Sequence, residues 1–73
     1  MTYHPSIAGV LRFFESDHLR PELQDVVKPF RALALEVADR APNNPETTVA
    51  LRKLLEAKDA AVRAALPEQE VQL

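Results

Sequence analysis

The sequence has no cysteine, no tryptophan and a single glycine among its 73 residues. Without cysteine, neither a disulfide nor a thiolate metal site can brace the fold. The two histidines, His4 and His18, stand too far apart for any usual zinc-ligand spacing. One glycine leaves little material for the tight turns of β-hairpins. No stretch approaches the roughly 18 consecutive apolar residues that a membrane-spanning helix needs. The first residues also lack the charged-then-apolar pattern of a secretory signal. With the missing thiols, these absences point to a cytoplasmic location.

Chemistry is thin as well. The only serines are Ser6 and Ser16, and neither sits in a glycine-flanked nucleophile elbow. No glycine-rich loop is present to cradle phosphates. His18 beside Asp17 is a lone neighbour pair, and no acidic cluster of the metal-nuclease kind occurs. The sequence therefore predicts a binding protein rather than an enzyme, without cofactor or metal. A net charge of −2 and a pI of about 5.6 argue against a sequence-independent grip on duplex nucleic acid. They leave room for a small phosphate-bearing ligand, for which a few well-placed cations suffice.

What is present is helical periodicity, punctuated by six prolines. In "PSIAGVLRFFESDHL", Ser6 is a potential N-cap, and Ile7, Val10, Leu11 and Phe14 share a face, which predicts a helix over about 6–15. Pro21 suits a first helical position. From there Leu23, Val26, Phe30, Leu33 and Val37 repeat at alternating spacings of three and four, a coiled-coil-like seam widened by Ala34 and Ala41. This predicts a helix over 21–41, kinked or restarted near residues 26–29, because Pro29 cannot donate to the carbonyl of Asp25. Asn44 as cap, Pro45 and Glu46 predict a third helix over about 45–66, closed by Pro67 and followed by a frayed tail, 67–73. Exposed i,i+4 pairs are expected between Arg63 and Asp59 and between Arg52 and Glu56.

The expected architecture is all-α: one domain over residues 1–73, with a short N-terminal helix and an antiparallel helical hairpin. A chain this short buries only about 60% of its unfolded surface, and with no disulfide or metal the remaining brace is self-association. A hairpin also leaves residues such as Leu35 and Val49 uncovered, and it has no concavity of its own. A homo-oligomer with pockets between copies is therefore expected.

The candidate ligand-binding residues are cations and aromatics. Phe13 lies off the apolar stripe and is the better stacking platform, whereas Phe14 continues the stripe and is favoured as core. His18 in "DHLRP" is a ligand group or a turn residue. Lys28 stands beside the proline break and Arg31 follows on the same outer face. Arg63 is a phosphate ligand or surface decoration. Lys58 falls inside the apolar stripe formed by Leu51, Leu54, Leu55 and Val62, and three roles are open to it: it snorkels, fixes helix register, or points into an inter-subunit cavity.

The stretches "FFESDHLRPELQDVVKPFRALALEV" and "ETTVALRKLLEAKDAAVRAAL" resemble the small helical-hairpin proteins of bacteriophages that act as anti-CBASS cyclic-oligonucleotide sponges. The likeness spans roughly residues 12–66, and "LRKLLEAKDAAVRAAL" is its most specific part. The resemblance implies a protein that binds cyclic dinucleotides, and in some members cyclic trinucleotides, without cleaving them. It further implies a hexamer with pockets between protomers and sequestration of the messenger in the bacterial cytoplasm, so that host defence is evaded. By the same likeness Lys28, before "PF", takes a ligand phosphate, and Phe13 or Phe14 stacks on a base. Arg63, with Lys58 nearby, belongs to a second phosphate site. Many relatives have an aromatic two residues before the histidine, where this chain has Ser16. The other class of function kept open is a structural oligomerisation or adaptor hairpin with no small-molecule ligand.

Overall fold

The computed structural model describes residues 3–66; the expected frayed tail and its Pro67 stop lie outside them. The chain is all-α, with no strand among the described residues. In order come α1 (Pro5–Leu11), a 3-10 turn (Arg12–Phe14), α2 (Pro21–Arg40) and α3 (Pro45–Ala65). All three α-helices begin on a proline. The first helical residue needs no N–H partner, and the proline ring presets its φ, so these boundaries follow from local chemistry.

Caps refine the starts. Asn44 caps α3 as expected, its Oδ1 accepting from the Thr47 N–H at 3.2 Å. The hydroxyl of Thr47, itself buried, donates to the Pro42 carbonyl and ties the connector down. The cap of α1 is His4 rather than Ser6: the His4 Nδ1 accepts from the Ser6 N–H at 3.2 Å. α1 is also shorter than expected, tightening after Leu11 into the 3-10 turn and becoming extended at Glu15. That tightening carries Phe14 into the core with Ile7 and Val10.

α2 runs through Pro29 as one helix, so the expected restart does not occur. Pro29 is exposed, on the side away from the buried stripe, and the carbonyl that it leaves without a helical partner can turn to water. The buried stripe of α2 is Leu23, Val27, Ala34 and Ala38, which keeps Leu23 and Ala34 of the expected seam and drops the rest. Leu33 of that seam is 48% exposed, while Val26, Phe30 and Val37 are half-buried on its flank. Two alanines at the contact let α2 and α3 approach closely over Leu51, which has no accessible surface. A 3.6-residue period through small side chains prevails over the 3.5-residue period through large ones.

α1 and the 3-10 turn lie over one side of the α2–α3 layer. Tyr3 and Ala8 border an open groove with Arg31 and Leu35 of α2, so Leu35 is half-buried rather than left uncovered. On α3, Thr48 approaches Ser6 at 3.4 Å between hydroxyl oxygens. Val49 stays 45% exposed, as expected. The surface ion pairs differ from those expected: Asp59 pairs with Lys58 at 2.7 Å, and Glu56 with Lys53 at 4.0 Å. No helix among the described residues is long and apolar enough to cross a membrane.

Two outcomes follow. Gly9 is exposed inside α1, and a methyl group there would meet nothing within 4 Å. Gly9→Ala should therefore raise stability by about 0.5–1 kcal/mol, read as a higher urea midpoint at unchanged slope. The single tyrosine, Tyr3, donates to Asp39 Oδ1 at 2.7 Å. That hydrogen bond first, then burial and the carboxylate's charge, raises its pKa above the ordinary value of 10.0. The stability contributed is fully present below pH 10 and is lost as pH rises through the folded pKa. Ultraviolet titration of the phenol should give a midpoint above 10.0 in the folded protein, moving back toward it in Asp39→Asn.

Candidate functional site

The 3-10 turn and the last turns of α3 enclose an open cleft of about 420 Å³. A 3-10 helix turns about 120° per residue, so successive side chains point in three directions. With Phe14 buried, Phe13 and Arg12 must face elsewhere. Both line the cleft, and the Arg12 guanidinium lies over the Phe13 ring, 5.2 Å from its centre. Phe13 is 53% exposed. His18 and Leu19 come from the turn that follows, which the Leu19 N–H closes on the Ser16 carbonyl at 2.9 Å. The Gln24 side chain donates to the Leu19 carbonyl at 2.7 Å and pins that turn to α2.

α3 supplies the far wall with Lys58, Asp59, Val62 and Arg63. The Lys58 side chain is only 11% exposed, and its ammonium meets Asp59 Oδ1 at 2.7 Å. Its stem lies along the apolar stripe while its head reaches the cleft. An ammonium has three donors, so a bound carboxylate does not exhaust it. The cleft thus holds three permanent cations, Arg12, Lys58 and Arg63, against the carboxylates of Glu15 and Asp59. That balance suits a ligand carrying negative charge and a flat π-face. No group of acidic, histidine or cysteine residues fit to hold a metal occurs among the described residues.

Of the residues singled out in the sequence, the cleft gathers Phe13, His18, Lys58 and Arg63. Phe14 is excluded, since it has no accessible surface and serves the core. Lys28 is not in the cleft; its side chain is 73% exposed and pairs with Asp25 at 3.0 Å, one turn earlier on α2. Arg31 lines the separate groove beneath α1, with Tyr3 and Leu35. Sequence reasoning did not select Arg12, Glu15 or Asp59. What brings Arg12 and Phe13 to the cleft is the tightening of α1 into a 3-10 turn, where the sequence predicted a continuous helix.

Comparison of the chain with protein-family models, with curated proteins and with solved structures gives no match.

The two adjacent phenylalanines should separate cleanly. Phe14→Ala should cost about 3–5 kcal/mol, the usual penalty for a large buried side chain. Phe13→Ala should leave the thermal midpoint within about 1 °C, because its ring is half-exposed and joins no core contact. Equal losses of stability would contradict the orientation of the turn.

Proposed function

We propose that this protein is a non-catalytic binder of cyclic dinucleotide messengers, and of cyclic trinucleotides, which it sequesters and so counters CBASS-type antiviral signalling. The observation that carries the reading is the accessible Phe13 ring, capped by Arg12, within the same cleft as Lys58 and Arg63. A base can stack on an aromatic face, and phosphates take Lys or Arg. The likeness of the "HL.P.L" turn and of "LRKLLEAKDAAVRAAL" to the sponge family supports the same ligand class.

On this reading α2 and α3 form an antiparallel hairpin, and several copies, six in the family pattern, close around the ligand in the bacterial cytoplasm. The cleft is open to solvent in a single copy, so a neighbouring copy would complete it. Lys28 and Arg31, which a single copy does not bring to the cleft, would then act from another protomer.

One contact favours the alternative, an oligomerisation or adaptor hairpin without a ligand. Asp59 already neutralises Lys58. A phosphate must share that ammonium or displace the carboxylate.

Calorimetry with a panel of cyclic di- and trinucleotides decides between them. Binding is expected with at least one ligand, weakening with salt and falling at least tenfold in Arg63→Ala and in Phe13→Ala. Absence of heat with every ligand, on protein shown to be folded and assembled, would remove the nucleotide reading and leave the adaptor.

A further inference from the structure

α2 carries two apolar stripes. One, through Leu23, Val27, Ala34 and Ala38, is used inside the molecule. The other, Val26, Phe30, Leu33 and Val37, repeats at four-three-four and lies on the flank away from α1. The assignment of sides is fixed by contacts: Arg31 and Leu35 occupy the flank beneath Tyr3 and Ala8. α3 flanks the open stripe with Leu54 and with small residues, Ala50 and Ala57, which are exposed. Phe30, Val37 and Leu54 touch the core from this side but remain partly accessible. α1 therefore covers one groove of the α2–α3 layer, and nothing among the described residues covers the other.

We propose that this open face docks a second copy of the same chain, α2 against α2, antiparallel about a two-fold axis. The heptad spacing is what a second helix requires, and the molecule's own packing uses it only in part: Phe30 and Val37 touch the core, while Leu33 stays exposed. Opposing Phe30 to the partner's Leu33 also opposes Val26 to the partner's Val37, so the stripe is its own complement. That is the condition for an isologous contact. The charges agree with the same register. Glu22 and Arg40 lie near whole numbers of turns from Leu33, on one edge of the stripe. In an antiparallel pair like edges meet, which brings Glu22 beside the partner's Arg40 and Arg40 beside the partner's Glu22. Both side chains are accessible, at 58% and 79%, and their present partners, Arg20 and Glu36, are on their own helix or next to it.

This surface is separate from the nucleotide cleft, although it supplies one contact that the assembly in the reading above requires. The test needs no nucleotide. Sedimentation of the full chain across the micromolar range should give an even number of copies. Leu33→Glu should reduce the mass to that of the monomer, or to half. Arg40→Glu should weaken association by roughly tenfold, and adding Glu22→Arg should restore it. Circular dichroism checks helix content; should Leu33→Glu lose it, the charge reversal and its rescue still decide. A protein monomeric throughout that range overturns the proposal. So does an assembly that all these variants leave unchanged, or one relieved only by adding another protein. Calorimetry at the cleft is read separately, so failure of either idea is distinguishable from failure of the other.

Discussion

The burial of one ring organises this molecule. Phe14 closes the 3-10 turn and has no accessible surface. Burying a phenylalanine contributes on the order of 2–3 kcal/mol, a large share of what a chain this small can accumulate. Because successive 3-10 residues diverge by about 120°, placing Phe14 inward turns Phe13 and Arg12 away from the core, and both line the cleft. Exposure of Phe13 is thus a consequence of burying its neighbour. The Gln24 contact to the Leu19 carbonyl then holds the following turn, and with it His18, against the same edge. The cleft is assembled by packing rather than by a loop shaped for it.

Lys58 shows how a charge is accommodated where the helical period calls for an apolar residue. Full burial of an unpaired ammonium would cost several kcal/mol. Here the stem takes the apolar position, and the head emerges at the cleft beside Asp59. No buried polar side-chain atom is left without a partner among the described residues. The same contact gives the cleft its character. Lys58 and Asp59 cancel at short range, which leaves Arg12 and Arg63 against the single carboxylate of Glu15.

Local signals were legible in the sequence where a single residue decides them. The starts of α2 and α3 follow from Pro21, Pro45 and the Asn44 cap, and their ends fall within one residue of expectation. Phe13 and Phe14 were separable by periodicity alone. The signal failed where two patterns compete on one helix. In α2 both a 3.5-residue and a 3.6-residue reading collect apolar residues, and only contact with α3 selects the stripe with the smaller side chains. The start of α1 misled for a different reason: residue type favours serine as a cap, but Pro5 takes the first helical position, which leaves the preceding His4 to accept from the Ser6 N–H. The convergence of Arg12 with Lys58 was not legible, because it depends on how the turn crosses α3, a relation between distant segments.

The two apolar stripes of α2 bear on size. Eight apolar residues are buried among the described ones, and two of them are alanines. Such a core leaves little margin over the conformational entropy that opposes folding. A chain in that position gains from every further apolar contact, and Leu33 and Val49 still expose apolar surface. The open stripe and the cleft between the 3-10 turn and α3 lie on opposite sides of the α2–α3 layer. Pairing across the stripe would therefore leave the cleft facing outward, and closing the cleft would require a second, different contact. A closed assembly of more than two copies with two-fold symmetry needs two kinds of interface for the same reason. Lys28 is displayed on the outer surface of α2 and Arg31 at the groove beneath α1, so neither lies on the face that carries Leu33.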